Sequence, residues 1–151
     1  MIKIICVGKI KEKYLQDAMQ EYEKRITKYT KLQIIEVPDE SFNDTNKVLN
    51  KEAESILKHL NAKDYIITLE INAKELTSLE LAEKLDKILT INSNIVFIIG
   101  SSYGLSNKVL ERATEHFSFS KLTFPHQLFR VLLLEQIYRC YKINNNEEYH
   151  K

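Results

Sequence analysis

The chain has 151 residues, which is enough for about one domain with its own hydrophobic core. Its 22 Lys and Arg residues against 21 Asp and Glu residues leave a net charge of +1, which excludes the strong basic excess of many nucleic-acid-binding proteins. Any contact with a nucleic acid must therefore be local. No apolar run approaches the roughly 18 residues of a membrane span, and Lys3 interrupts the apolar start, so we expect neither a membrane protein nor a secretory signal.

Apolar, β-branched segments alternate along the chain with segments whose apolar residues recur every three or four positions. The predicted strands are residues 2–7, 32–37, 65–69, 95–99 and 116–122. The predicted helices are residues 15–29, 47–60, 77–89, 106–113 and 125–143. This order predicts an α/β fold in which a parallel sheet carries helices on both faces, as one domain covering residues 1–151.

The two cysteines, Cys6 and Cys140, fall in the first strand and the last helix. Neither has a second thiol or a histidine at the spacing of a metal site. We therefore predict two buried free thiols, no metal site and a reduced, cytoplasmic protein.

Two loops follow the fourth and fifth predicted strands, at residues 100–105 and 119–126. Such loops meet at the carboxyl edge of a parallel sheet, where small-molecule ligands bind. The first loop lacks the glycine and lysine spacing of phosphate-binding loops. From the residues alone, an ordinary turn and a ligand site are equally supported.

Three lysines, Lys9, Lys11 and Lys13, follow the first strand and are predicted to lie near the same edge. They can meet RNA phosphates there, although a solvated charged surface is the favoured interpretation.

The first half of the last helix is apolar on nearly every side. Its apolar residues are Leu128, Phe129, Val131, Leu132, Leu133 and Leu134. A helix of this kind must be covered on both sides. We expect a second subunit to cover it in a homodimer, and the alternative is a central helix of a single core.

Four motifs give the chain a resemblance to a known family. They are I-I-G-x-x-x-G-L ending at Leu105, S-F-S-K-L-T-F-P-H ending at His126, R-V-L-L-L-E-Q-I-Y-R ending at Arg139, and the terminal Y-H-K. The amino-terminal I-K-I-I-C-V-G-K-I-K and Y-E-K-R at residues 22–25 match as well. The chain thus resembles, over nearly its whole length, the RlmH family of SPOUT-class methyltransferases, which methylate N3 of a pseudouridine in 23S ribosomal RNA.

The resemblance implies a homodimer with a C-terminal trefoil knot, acting on 23S ribosomal RNA in the ribosome or large subunit. It also implies S-adenosylmethionine as methyl donor, with no metal and no membrane. The donor-binding positions that it implies are Leu69, Gly100, Phe119, Ser120, Lys121, Leu122, Thr123 and Phe124. A side chain at Gly100 is expected to block the approach of the donor to the backbone.

The active-site residues that the resemblance implies are Arg139, Tyr149 and His150. On general grounds a chain end is frayed, whereas the resemblance places this end at the substrate. Methyl transfer requires loss of the N3 imide proton, for which His150 is a candidate general base. Arg139 can stabilise the imide anion or hold a flanking phosphate, and Tyr149 can stack on the base or hydrogen-bond to it.

The chain departs from the family pattern at two places. Ser101 stands where the family has a second glycine, so we expect backbone strain if that position needs a positive φ. Glu147 and Glu148 precede Tyr149, and their charges are expected to weaken attraction to RNA. Two alternative functions stay open: a SPOUT methyltransferase acting on another RNA, and a catalytically silent ribosome-binding homologue.

Overall fold

Five strands and five helices alternate in the predicted order, and the computed structural model describes residues 1–151. The strands are β1 (Ile2–Val7), β2 (Leu32–Val37), β3 (Tyr65–Glu75), β4 (Ile95–Ile99) and β5 (Glu115–Ser118). The helices are α1 (Lys13–Ile26), α2 (Thr45–Leu57), α3 (Ser78–Ile91), α4 (Asn107–Arg112) and α5 (His126–Asn144). None of these helices combines the length and the apolar content needed to cross a membrane.

The strands form one parallel sheet in the order β2-β1-β4-β3-β5, which confirms the predicted α/β fold. Every residue of β1 and β4 is buried, because helices cover both faces of the sheet. Alternate residues belong to different cores. Cys6 and Phe97 pack in the core formed with α1, α3 and α5, whereas Val7 and Ile98 pack in the smaller core formed with α2 and α4.

The carboxyl ends of the three middle strands lie side by side. Ile99 at the end of β4 is opposite Cys6 of β1 and opposite Leu69 of β3. The segments that follow these strands therefore leave the sheet at one edge, where a ligand site was predicted.

Strand β3 is longer than predicted, because it continues past Leu69 to Glu75. Its pairing with β5 is interrupted, since Leu69 and Lys74 both lie opposite Phe117. Residues 70–73 therefore bulge out of the ladder, and the polar residues Glu70, Asn72, Lys74 and Glu75 conceal the continuation of the strand in the sequence.

Strand β5 is shorter than predicted and ends at Ser118 instead of residue 122. The Ser118 hydroxyl donates to the carbonyl of Ser120, and the Leu122 amide donates to the Ser120 hydroxyl. These local bonds turn the chain out of the sheet.

The predicted helix caps are present, with small shifts in the helix ends. Thr77 forms a capping box with Glu80. Helix α2 begins at Thr45 instead of residue 47, because the Asp44 side chain caps it by accepting from the Asn46 amide. Pro125 lies just before the first turn of α5 and not within it.

Helix α5 crosses the sheet from its carboxyl edge to its amino edge. It begins where Arg130 contacts the end of β1, and Tyr141 near its end stacks on Tyr29, which precedes β2. Leu133 and Leu134 are fully buried between α1 and α3, so a central position in the core explains part of the apolar run. Leu128, by contrast, is 38% exposed.

Both cysteines are free and buried, as predicted. Burial raises the pKa of Cys6 and of Cys140 to about 12.

Candidate active site

A cleft of about 520 Å³ lies at the carboxyl edge of the sheet, between loop 100–105, the bulge of β3 and the segment after β5. Of the predicted donor-binding residues, those that line it are Leu69, Gly100, Phe119, Ser120, Leu122, Thr123 and Phe124. Lys121 is exposed and does not line the cleft. The volume is within the range of small-molecule sites.

Gly100 allows loop 100–105 to close on itself. A Cβ at this position would lie 2.3 Å from the carbonyl oxygen of Gly104. Gly104 has a φ of +85°, and its amide donates to the carbonyl of Ser101 at 2.9 Å. The loop's own backbone is therefore the first obstacle to a side chain here, and the expectation that a side chain would also block the donor stays a prediction.

Ser101 is not strained, because its position does not take the positive φ on which the expected strain depends. Asn146 is the one residue other than glycine with a positive φ. The Ser101 hydroxyl instead donates to Oε2 of Glu52 at 2.8 Å, and Oε1 of Glu52 accepts from the Glu40 amide at 3.3 Å. The serine therefore ties the loop to α2.

Sequence reasoning missed Glu52, whose carboxylate is buried beneath the loop at 3% exposure. A signal was present, since Val48, Glu52 and Ile56 are four residues apart and share the apolar face of α2. A carboxylate on such a face needs a hydrogen-bonding partner, and the loop provides one.

An aromatic wall lines the cleft on the side of α5. The Phe129 ring lies 4.9 Å from the Phe119 ring and 6.2 Å from the Phe124 ring. His126 completes this side, and its pKa is lowered by burial and by the Arg130 guanidinium, which favours the neutral imidazole. The three phenylalanine rings of this wall offer the flat apolar surface that suits an aromatic ring such as adenine.

Glu70 adds an acidic group to the cleft, and the sequence pattern did not indicate it. Its Oε2 accepts from the Thr68 hydroxyl and lies 2.7 Å from His116 Nδ1. One carboxylate oxygen therefore stays without a protein partner at the rim. A carboxylate in this position favours a ligand with a positively charged group.

The three predicted tail residues gather on the outer side of α5, and the chain end is docked instead of frayed. The Arg139 guanidinium lies 4.8 Å from the centre of the Tyr149 ring, and its Nη1 is 3.1 Å from His150 Nδ1. Glu135 joins them, because its Oε1 accepts from Arg139 Nη2 and, at 3.0 Å, from the Tyr149 hydroxyl. We call these four residues the tail cluster.

Glu135 was not predicted, although its position four residues before Arg139 is the spacing of a helical ion pair. Burial and the hydrogen bond to Glu135 raise the pKa of Tyr149 to about 12, so its hydroxyl keeps its proton near neutral pH. The same carboxylate raises the pKa of Arg139. The tail cluster therefore presents a fixed cation and neutral hydrogen-bond donors.

Glu147 anchors the tail. It accepts hydrogen bonds from the Tyr29 hydroxyl at 2.9 Å and from Lys142 Nζ at 2.7 Å, and Lys142 followed by Tyr29 lowers the pKa of its carboxyl. Its charge is thus paired with that of Lys142, and the expected effect of Glu147 and Glu148 on RNA attraction stays a prediction.

The cleft and the tail cluster are separate within one chain. Phe129 of the cleft and Arg139 of the cluster are ten residues apart on α5, which is about 15 Å along a helix axis. The structure therefore brings together the residues of each predicted set, except Lys121, but does not bring the two sets together. No three His, Cys, Asp or Glu side chains gather in a way that could hold a metal ion.

Comparisons with known proteins agree with this geometry. A family model described as "Predicted SPOUT methyltransferase" matches residues 1–150. A protein of Methanococcus vannielii is 55% identical to this chain over 157 residues, and the alignment covers 99% of each of the two chains. Proteins named ribosomal RNA large subunit methyltransferase H are 51% identical in Clostridium botulinum, over 99% of both chains, and 49% identical in Caldicellulosiruptor saccharolyticus, over the whole of both chains.

The fold also recurs in a more distant protein. The structure of a "probable methylase family protein" from Haemophilus influenzae matches with a TM-score of 0.59 at 15% identity, covering 99% of this chain and 70% of the other. The assignment rests on the full-length family match and on relatives that share about half of their residues with this chain. The chain belongs to the SPOUT methyltransferase family, in the group of the ribosomal RNA large subunit methyltransferases H.

Proposed function

We propose that this protein transfers a methyl group from S-adenosylmethionine to N3 of a pseudouridine in 23S ribosomal RNA, in the cytoplasm. The observation that carries the proposal is the pairing of a donor-sized cleft with a docked tail cluster of Arg139, Tyr149 and His150. The names of the relatives, which act on ribosomal RNA of the large subunit, support the same substrate.

The cleft residues hold the donor. The aromatic rings of Phe119, Phe124 and Phe129 offer flat apolar surface for the adenine, while Glu70 attracts the positive charges of the methionine portion. S-adenosylmethionine supplies a methyl group on a positive sulphur atom, so the transfer needs no metal. The protein's tasks are to exclude water and to align the nucleophile.

The tail cluster acts on the base. The Arg139 guanidinium favours loss of the N3 proton to water, because a cation beside an acidic N–H stabilises its anion. The N3 anion then forms its bond to the methyl carbon as the bond from that carbon to the donor's sulphur breaks. Tyr149 and His150 orient the base through their hydrogen-bonding groups. Glu135 holds Arg139 and Tyr149 in one arrangement, so that the charge is in place before the base arrives.

The working enzyme is a homodimer with composite sites. Leu128, Leu132, Glu135 and Arg139 follow one another at spacings of four, three and four residues and form one stripe on α5. A two-fold contact between these stripes, with the helices antiparallel, brings the tail cluster of one subunit to the cleft of the other. The cleft and the tail cluster of one chain are about 15 Å apart. In the dimer, each cleft instead lies beside the tail cluster of the other subunit.

A trefoil knot accompanies this arrangement. The segment after β5 leaves the sheet next to β3 and reaches α5, whose Arg130 contacts β1 on the far side of β4. A chain that crosses the carboxyl edge in this way can pass through the long connection between β3 and β4. Family membership supports such a passage.

The decisive experiment uses 23S RNA from cells that lack the gene. Purified protein and S-adenosylmethionine should add one methyl group to a pseudouridine, which mass spectrometry of RNA fragments locates. RNA that contains uridine at the same position is the control for the requirement for pseudouridine. Methylation of a different RNA, or no turnover of the donor with any RNA, would overturn the proposal.

A further inference from the structure

The segment between β1 and α1 places exposed cations at the same sheet edge as the cleft. Lys9 and Lys11 are exposed and form no ion pair, whereas the nearby Lys13 is paired with Asp17. Tyr14 at the start of α1 is 68% exposed. Two unpaired ammonium groups and a solvent-facing aromatic ring therefore share one short segment, residues 9–14.

This segment is held firmly by its backbone. The Ile10 amide donates to Glu36 Oε2 at 2.9 Å, and the Lys11 amide donates to Gln127 Oε1 at 3.2 Å. The Gln16 side chain donates to the carbonyl of Ile10 at 3.0 Å. The two lysine side chains thus extend from a backbone that is held in place by hydrogen bonds. Less conformational entropy is therefore lost when they bind a partner.

Arg130 fixes the base of the segment. Its guanidinium is 2% exposed and donates to the carbonyls of Val7 and Gly8 and to Glu36, each at 2.8 Å. A buried arginine on α5 therefore sets the position of the exposed lysines above it.

The segment borders the cleft. Its anchor Gln127 follows His126, which lines the cleft, and β1 ends beside β4, whose loop 100–105 forms another wall. A polymer whose base enters the composite site must run across this edge. A phosphate chain is the partner that matches unpaired lysines beside an exposed ring.

We infer that Lys9, Lys11 and Tyr14 form a contact surface for single-stranded RNA, in which the lysines bind phosphates flanking the methylated nucleotide and Tyr14 stacks on a neighbouring base. The inference rests on the proposed function and names the part of the protein that grips its RNA. It also explains how a chain with a net charge of +1 binds a polyanion, since two unpaired positive charges lie beside the cleft where the RNA passes.

The test measures how RNA affinity depends on salt. In a variant carrying Lys9→Ala and Lys11→Ala, the slope of log affinity against log salt should fall by about 1.4, because each phosphate contact on a single strand contributes about 0.7. The matched control carries Lys58→Ala and Lys63→Ala, which remove two exposed, unpaired lysines between α2 and β3, at the amino edge of the sheet. This control should have the same slope of log affinity against log salt as the wild-type protein.

Tyr14 is tested separately. Tyr14→Ala should weaken binding to 23S RNA from cells lacking the gene by about tenfold, whereas Tyr14→Phe should keep the affinity, because stacking needs the ring and not the hydroxyl. Donor affinity should stay the same in every variant.

The outcomes separate the two proposals. If the unchanged protein methylates the RNA while the double lysine variant keeps both its salt slope and its KM for RNA, the inference about this surface is overturned and the proposed function stands. If the unchanged protein methylates no RNA, the proposed function itself fails.

Discussion

Nη1 of Arg139 lies 3.1 Å from Nδ1 of His150. A guanidinium has only N–H donors, so Nδ1 is the acceptor in this contact and the ring N–H that stays available is the one on Nε2. While the tail is docked in this way, His150 offers a substrate an N–H group instead of a free lone pair. Its first role is then to orient the base.

A pair of substitutions separates the two roles of this histidine. His150→Gln, which keeps a hydrogen-bond donor, should retain methylation within about tenfold, whereas His150→Ala should lose about 100-fold. Donor affinity should be unchanged in both variants, because the residue lies outside the cleft. Equally large losses in the two variants would instead identify His150 as the acceptor of the imide proton.

The closure of loop 100–105 makes a second prediction. Gly100→Ala places a Cβ against the Gly104 carbonyl at 2.3 Å, so the loop must shift and donor affinity should fall by at least about tenfold. Gly104→Asn is the control, since nothing lies within 4 Å of that Cβ position and asparagine tolerates a positive φ. Calorimetric titration with S-adenosylmethionine measures both. Unchanged affinity in a folded Gly100→Ala protein would show that the donor does not depend on this loop.

Composite sites make a third prediction. A Gly100→Val protein, whose larger side chain should abolish donor binding, and a protein truncated after Glu148 should each be inactive, but an equal mixture should recover about a quarter of full activity through heterodimers with one intact site. Sedimentation of each protein checks that dimers form. A mixture without activity, or an active monomer, would show that each subunit works alone.

The ionisation of Tyr149 makes a fourth prediction. Its pKa is raised from the ordinary 10.0 to about 12, so docking stabilises the neutral phenol. This stabilisation is complete below pH 10 and is lost as the pH rises from 10 to about 12. Alkaline titration followed by tyrosinate absorbance should therefore lose one late-titrating group in Tyr149→Phe. Tyr65→Phe should lose another, because Tyr65 also has a pKa of about 12.

The buried Arg130 makes a fifth prediction. Arg130→Met leaves the carbonyls of Val7 and Gly8 without their donor and should lower the free energy of unfolding by about 2–4 kcal/mol. Glu36→Gln should cost less than about 1 kcal/mol, because its side chain is 37% exposed and keeps an acceptor. Urea titration of both proteins tests the difference. Equal stability of Arg130→Met and the unchanged protein would contradict a structural role for the guanidinium.

The sequence pattern was sufficient for the elements whose signals are local. Strands β1, β2 and β4 have the predicted bounds, because each is an apolar run ended by Gly8, by Pro38 or by Gly100. The capping box of Thr77 needed only residues three positions apart. Such features depend on neighbours along the chain and not on the fold.

Features that depend on distant partners could not be predicted. The bulge of β3 arises from its pairing with β5, about 45 residues later, and polar residues conceal it. Arg130 interrupts an apolar run, and only the fold brings it to backbone carbonyls more than 120 positions away. The tail cluster was predicted through family resemblance, whereas its organiser Glu135 needed the observed hydrogen bonds.

The burial of both thiols makes the protein suitable for site-specific labelling. Cys6 and Cys140 are at most 1% exposed, and with a pKa of about 12 neither offers a reactive thiolate to a maleimide near neutral pH. A single substitution such as Lys151→Cys therefore introduces the one fast-reacting sulphur without removal of the native cysteines. A fluorophore attached there would report in real time whether the tail leaves α5 when RNA arrives.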